Sequence, residues 1–359
     1  MRFYLHTISA TLTALLFSTA VQADLAVGSW NIKHFGWNNG KDMAAVSSVA
    51  SRFDLLAVQE LMDPAELQRL ERHLERQTGE AWGSMASEAL GASSYREHYG
   101  FLWRESEARY VEGAVVYLDR RSTFARPPYS ALFTDTDTGQ RYALGTVHIT
   151  YGDSISDRTP EIRALDEYWR WLREIYPQSI RLLLGDFNLE PGHSAWRELD
   201  GLARPAITRG GTTLSHTDGR YASLYDNIWF DSRQLQTNSS GVLRFPESLG
   251  ITHRQARDSV SDHAPVYLLL DGAQLRAATA FATEKRRERQ QPAAGSGDCT
   301  NLNRAPASAL EAITHIGSKR ATSIVEGRPW KAVDELDRID GIGPSRLKDI
   351  ERQGEACVR

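Results

Sequence analysis

Ile180-Arg181-Leu182-Leu183-Leu184-Gly185-Asp186-Phe187-Asn188 sets a short apolar run against a glycine, a carboxylate and an amide. A continuous apolar segment of this length, bounded by turn-forming residues, reads as a strand buried on both faces. Its polar residues crowd at the strand end, and the same arrangement recurs along the chain. Trp30-Asn31 closes a strand over Leu25 to Trp30, Gln59-Glu60 closes one over Leu55 to Gln59, and Val147-His148 lies near the end of Tyr142 to Ile149. Tyr225-Asp226-Asn227 opens Tyr225 to Phe230, Ser261-Asp262-His263 precedes Ala264 to Leu270, and one further strand is read at Gly113 to Leu118. Each fragment alone is what a helix cap or turn would give, but six in this order point to one shared site.

Two helices interrupt the strands. Asp63-Pro64-Ala65-Glu66 supplies a cap, a first-turn proline and an acidic third position, and Leu67, Leu70 and Leu74 follow on one face. Thr159-Pro160 is read as the start of the second, whose apolar stripe is Ile162, Leu165, Trp169 and Leu172. Many strands and few helices predict an α+β fold in which two packed sheets are flanked by helices, rather than a regular βαβ alternation.

The chain has 359 residues, enough for one large domain and a small one. With 41% hydrophobic and 25% charged residues it has the composition of a globular protein. Its net charge of -4 does not announce a polyanion binder, so any nucleic-acid reading must come from local sites. The charge is uneven. Residues 24–272 carry 26 basic and 34 acidic side chains, whereas residues 273–359 carry 15 and 12, together with both cysteines.

Met1 to Ala23 has a basic residue near its start, an apolar stretch from Ile8 to Ala20 and a small-x-small ending at Val21-Gln22-Ala23, the pattern of a secretory signal peptide. The apolar stretch is shorter than the roughly 20 residues needed to span a bilayer. A mature protein starting near Asp24, secreted or periplasmic and without a membrane partner, is expected. In an oxidising compartment Cys299 and Cys357 would pair and staple the small C-terminal segment. Closing that loop would contribute about 4 kcal/mol in the chain-entropy model.

Taken together, the WN, QE, GDFN and SDH fragments resemble the endonuclease/exonuclease/phosphatase superfamily over about Leu25 to Leu270. Ser87-Glu88-Ala89-Leu90-Gly91, Ser94-Tyr95-Arg96-Glu97-His98-Tyr99 and Arg126-Pro127-Pro128 are similar to segments of its secreted pancreatic-type deoxyribonucleases. The resemblance implies a four-layered α/β/β/α sandwich of two mostly antiparallel sheets in residues 24–272, with the site at strand ends between the sheets. It also implies metal-assisted attack of water on a phosphodiester. Asn31, Glu60 and Asp262 would be the metal ligands, and their hard oxygens suit Mg²⁺, with Mn²⁺ or Ca²⁺ as substitutes.

Asp186 would orient or deprotonate the water, and Asn188 would hydrogen-bond the phosphate. His263 would pair with Asp226 and His148 with Glu97, giving a proton donor and a proton acceptor. Tyr95 and Arg126 match positions that contact the substrate backbone and groove. Two departures stand out. Met62 occupies the position of a groove-reading arginine, so groove contact is weaker than full resemblance would imply, and, separately, the family's cysteines are missing from this domain.

Residues 273–298 read as a linker, passing from Glu284-Lys285-Arg286-Arg287-Glu288-Arg289 into Pro292-Ala293-Ala294-Gly295-Ser296-Gly297. Beyond it, Ile316-Gly317-Ser318-Lys319-Arg320-Ala321 is echoed by Ile342-Gly343-Pro344-Ser345-Arg346-Leu347. Residues 299–359 thus resemble an all-α tandem helix-hairpin-helix module of the competence-protein type. That resemblance implies phosphate binding near Gly341 and Gly343, while Thr314-His315 departs from the usual Pro-Gly pair of the first hairpin.

The whole points to a secreted, metal-dependent endonuclease with double-stranded DNA as partner and little sequence preference, and nothing demands more than a monomer. The alternatives are a phosphodiesterase of lipid head groups or small phosphoesters, and an inactive DNA-binding or uptake protein.

Overall fold

The computed structural model describes residues 25–37, 40–235, 237–270, 272–277 and 299–358. The expected signal peptide and nearly all of the expected linker lie outside the described residues. The chain divides into two compact units, Met1–Glu288 and Arg289–Arg359.

In the first unit the chain lays down β1 (Ala26–Phe35), β2 (Leu55–Leu61), β3 (Trp82–Ala86) and β4 (His98–Arg104) in one sheet. It then builds β5 (Ala108–Val116), β6 (Tyr129–Asp135), β7 (Arg141–His148), β8 (Ile180–Asp186), β9 (Arg204–Pro205) and β10 (Asp226–Phe230) into a second. β11 (Thr237–Val242) and β12 (Val266–Leu270) return to the first, giving orders β11-β12-β1-β2-β4-β3 and β5-β6-β7-β8-β10-β9. Each sheet is antiparallel except for one central parallel pair, β1 with β2 and β7 with β8. A parallel pair needs a crossover. These are supplied by α1 (Met43–Ala50) and α3 (Ile155–Ile175), while α2 (Pro64–Thr78) follows β2.

Strand residues alternate between two cores. Leu182 and Leu184 join Leu55, Ala57 and Val266 between the sheets, whereas Leu183 faces Ile162, Leu165 and Trp169 of α3. Leu56 and Val58 face Val46 of α1 and Leu67, Leu70 and Leu74 of α2. The helices therefore cover the two outer faces, which is the expected four-layered sandwich. Strands buried on both faces show why Leu182 to Leu184 reads as unbroken apolar sequence.

Several elements differ from the sequence expectations. α3 starts at Ile155 rather than at Thr159-Pro160, because Ser154 and Asp157 form a capping box one turn earlier and Pro160 is absorbed inside the helix. The strand read at Gly113 to Leu118 is β5, Ala108–Val116, an edge strand whose register shifts around Glu112 erase the period-two signal. α2 matches its reading: Asp63 caps Ala65 N at 2.9 Å and Gly79 ends the helix.

The second unit contains β13 (Thr300–Asn301), α7 (Ala307–Leu310), α8 (Ser318–Glu326), α9 (Pro344–Gln353) and β14 (Ala356–Cys357), α4 to α6 being the short helices Arg197–Asp200, Phe245–Leu249 and His253–Ser259 of the first. It is not purely helical, since β13 and β14 form a short parallel ladder beside the Cys299–Cys357 disulfide. Its repeat holds in the backbone of the two turns that precede α8 and α9. His315 and Gly341 both take left-handed conformations (φ 63° and 78°), and Gly317 and Gly343 both cap their helices in the same extended conformation. The Nη1 atoms of Arg320 and Arg346 donate to the His315 and Gly341 carbonyls respectively. The Thr314-His315 departure therefore leaves the first hairpin's backbone unaltered.

Trp330 is buried in this small core and donates its indole N–H to the Ile324 carbonyl at 2.8 Å. Trp330→Ala is expected to destabilise the second unit by about 3–5 kcal/mol. Urea unfolding of the full chain would read this as an earlier transition for that unit alone, with the transition of the first unit unmoved.

Candidate active site

Ladder register assembles half of the site. His148 ends β7, Asp186 ends β8 and Asp226 opens β10, and pairing sets Asp186 beside His148 on one side and Asp226 on the other. The first sheet supplies the rest from the middle of β1 and from near the end of β2, where Asn31 pairs with Gln59, and from Ser261-Asp262-His263 leading into β12. A cleft of about 560 Å³ opens over this row, lined among others by Glu60, His148, Asp186, Asn188 and His263.

Both expected dyads are formed. His148 Nδ1 lies 2.7 Å from Glu97 Oε1, and His263 Nδ1 lies 2.8 Å from Asp226 Oδ2. Asp186 stands between them, its Oδ2 3.7 Å from His148 Nε2 and 3.7 Å from His263 Nδ1. Burial alone would lower the pKa of both imidazoles, but the carboxylates outweigh it. The His148 pKa is raised by Glu97, and that of His263 is pushed up to about 10 by Asp226 and Asp186. The Asp186 pKa is raised because it is buried beside a second carboxylate, Asp226, despite the two imidazoles.

Asn31 and Glu60 join this cluster. Asn31 Nδ2 donates to Glu60 Oε1 at 2.9 Å and to Asp186 Oδ2 at 3.1 Å, and the His34 amide donates to Glu60 Oε2 at 3.0 Å. Glu60 and Asn188 are held at φ 55° and 48°, conformations that cost about 1–3 kcal/mol each and mark over-determined sites. Asn188 receives its orientation from Ile149, whose carbonyl accepts from Nδ2 at 2.8 Å, while Asp186 Oδ1 accepts from the Asn188 amide at 3.0 Å.

Asp262 is placed differently from Asn31 and Glu60. Its Oδ2 accepts from Lys33 Nζ at 2.8 Å and lies 3.6 Å from Arg257, so two cations already neutralise it. The described acidic and imidazole groups that come close enough to share one ion are Asp186, Asp226 and His263. The donor chemistry fits a hard divalent cation: the cleft carries carboxylates and an amide, and Asp226 Oδ1 is buried without a hydrogen-bond partner.

Arg126 lines the cleft, where its guanidinium is held by protein partners. Its Nε and Nη2 donate to the His148 carbonyl at 3.1 and 2.9 Å, and Nε lies 3.2 Å from Glu97, so the guanidinium braces the His148–Glu97 dyad. The buried anions Glu97 and Glu161 draw it inward. Tyr95 is half-buried and donates to Glu97 Oε2 at 3.3 Å. Gly341 and Gly343 lie in the second unit, where Gly341 lines a small surface hollow with Ser318 and Arg320.

Supporting residues went unread in the sequence. Tyr99 Oη accepts from the His148 amide at 2.8 Å, and Glu161 accepts from the amides of Ala125 and Thr150, fixing the segments on either side of Arg126 and His148. Thr212 Oγ1 accepts from the Asp226 amide at 3.1 Å, and Ser261 Oγ donates to the Asn31 carbonyl at 2.7 Å. A carboxylate on an otherwise apolar helical stripe, as at Glu161 beside Ile162 and Leu165, is the one signal that could have been used.

Comparison with known proteins agrees with this geometry. The model of the endonuclease/exonuclease/phosphatase family matches residues 28–263, and a helix-hairpin-helix motif matches residues 297–353. A protein named deoxyribonuclease from Thioalkalivibrio sp. (strain K90mix) is 47% identical over 358 residues, covering 97% of each chain. Rabbit (Oryctolagus cuniculus) deoxyribonuclease-1 is 26% identical, covering 73% of this chain and 99% of its own. Among solved structures, an endonuclease/exonuclease/phosphatase family protein from Bacteroides thetaiotaomicron superposes with a TM-score of 0.52 at 18% identity, over 69% of this chain and 94% of that one. Such a likeness shows the shared sandwich alone. The full-length relative and the family match that ends on His263 carry the assignment further: the chain belongs to the endonuclease/exonuclease/phosphatase family, with a helix-hairpin-helix motif following its catalytic fold.

Proposed function

We propose that this protein is a secreted, divalent-metal-dependent endonuclease that hydrolyses DNA phosphodiester bonds with little sequence preference, acting as a monomer on double-stranded DNA. The observation that carries the reading is Asp186 standing between two carboxylate-histidine pairs at the floor of one cleft. The relative named deoxyribonuclease, similar over nearly the whole chain, supports DNA as the substrate.

Glu60 and Asp186 would hold the cation through their carboxylate oxygens and Asn31 through Oδ1, its Nδ2 being donated to those two carboxylates, and Mg²⁺ is the best match to such oxygen donors. When bound, the cation neutralises charge developing on the phosphoryl oxygens. Asp186 orients the attacking water, whose oxygen bonds to phosphorus as the bond to the leaving oxygen breaks. One imidazole takes up the water's proton and the other delivers a proton to the leaving oxygen. Nδ1 of His263 is committed to Asp226, which leaves Nε2 to meet the substrate. Export through residues 1–23 agrees with the pairing of Cys299 and Cys357.

The test is conversion of supercoiled plasmid to nicked and linear forms by the mature protein with Mg²⁺. Nicking is expected, and chelation is expected to abolish it. No nicking with Mg²⁺, Mn²⁺ or Ca²⁺ overturns the reading and turns attention to lipid phosphodiesters.

The second unit adds a grip on DNA through backbone amides at Gly317 and Gly343 and nearby cations. An acidic first unit gains local substrate concentration from such a tether, and amide contacts persist where plain charge attraction is screened. Deleting residues from Gly297 onward is therefore expected to leave nicking at low salt nearly intact and to cut it about tenfold or more at several hundred millimolar salt. An unchanged salt profile would refute the tether.

A further inference from the structure

At the end of β1 the chain turns through two non-glycine residues with positive φ, Lys33 (39°) and His34 (52°), and the Trp37 amide closes the turn on the His34 carbonyl at 3.1 Å. The turn brings the His34 and Trp37 rings to a centroid distance of 4.4 Å with planes 31° apart. Tyr95 stands edge-on to both, at 6.2 and 5.9 Å. Trp37 nevertheless remains 48% exposed, against the near-complete burial of Trp30, Trp196 and Trp229.

This aromatic group is tied to both halves of the cleft. His34 Nε2 lies 3.5 Å from Glu60, and Tyr95 Oη donates to Glu97 at 3.3 Å. Beneath it is a thioether, with Met62 Sδ 3.9 Å from Tyr95 Oη. Lys33, partly exposed at the same turn, is paired with Asp262. The surface thus offers an exposed indole, no buried polar code, and a position continuous with the site of the proposed reaction.

We propose that His34, Trp37 and Tyr95 form a stacking platform for one unpaired nucleobase of the strand being cut, which directs cleavage toward frayed or mismatched positions of a DNA duplex. The proposal rests on the nuclease reading above. A ring face is available for stacking only on a base out of its pair, because a paired base presents just its edge in the grooves. Stacking on aromatic side chains is tolerant of base identity, in keeping with low sequence preference. Met62 in place of a cation leaves little for reading a closed groove at this edge.

Two measurements on the full mature chain test this. In the first, kcat/KM is compared on short DNA duplexes with and without an unpaired base beside the cut position. Trp37→Ala is expected to lower the unpaired-over-paired ratio about tenfold, and Trp37→Phe to restore most of it. In the second, a single-stranded oligonucleotide carrying 5-iodouracil is photo-crosslinked to His263→Ala protein with Mg²⁺, and adducts are mapped. The expected adducts lie on Trp37, His34 or Tyr95 and are lost with Trp37→Ala. An unchanged ratio together with adducts absent from these residues overturns the platform. Plasmid nicking by the wild type reports separately on the nuclease reading, and the crosslink needs no turnover.

Discussion

His263→Ala is expected to lower the rate of plasmid nicking by about 10²–10⁴-fold, the usual worth of one positioned proton transfer. The imidazole is held in place for that transfer: Nδ1 is fixed by Asp226 Oδ2 at 2.8 Å and lies 3.7 Å from Asp186 Oδ2. His148→Ala is expected to fall in the same range, since Glu97 fixes that ring equally. If donor and acceptor act in one step, the double variant loses much less than the product of the two single losses. Removal of His263 also strands Asp226, whose Oδ1 already lacks a partner, so stability must be measured alongside. Urea unfolding separates the two effects. A His263→Ala protein that is folded and still nicks within tenfold of wild type would remove the dyad from the chemistry.

What could be read from the sequence, and what could not, follows from how the site is built. His148, Asp186 and Asp226 are legible because each stands at the end of a strand buried on both faces, where the change from apolar to polar residues is abrupt. Glu60 is legible for the same reason near the end of β2, whereas Asn31 reads as a strand end although β1 runs on past it, through a register shift, to Phe35. Residues that act through distant partners carry no such mark. Nothing near Asp262 in the chain foretells that Lys33, 229 positions away, will take its carboxylate. Arg126 looks like a surface cation until Glu97 and Glu161 are seen buried behind it. The edge strands β5 and β11 are harder to place, because register shifts break the alternation that marks a half-buried strand.

The residue on which all of this turns is Gly185, and Gly185→Ala is expected to be the most damaging small substitution in the first unit. Gly185 sits at φ 151°, and a Cβ there would lie 2.0 Å from the Val147 carbonyl oxygen. That oxygen belongs to the backbone of β7, the parallel neighbour whose Val147 pairs with Gly185, so no side chain can move aside to relieve the clash. β7 and β8 would have to separate at the point where they deliver His148 and Asp186. A destabilisation of about 4 kcal/mol or more is expected, a large part of the 5–15 kcal/mol by which domains of this kind are stable.

Gly139→Ala is the matched control. It also has positive φ, 72°, but nothing lies within 4 Å of the added carbon, so only the conformational cost of about 1–2 kcal/mol applies. Urea unfolding of the two variants should therefore differ by several kcal/mol, with nicking lost in Gly185→Ala and kept in Gly139→Ala. Equal midpoints would show that the β7–β8 ladder yields at this row. The glycine before Asp186 would then owe its place to something other than the close approach of two strands.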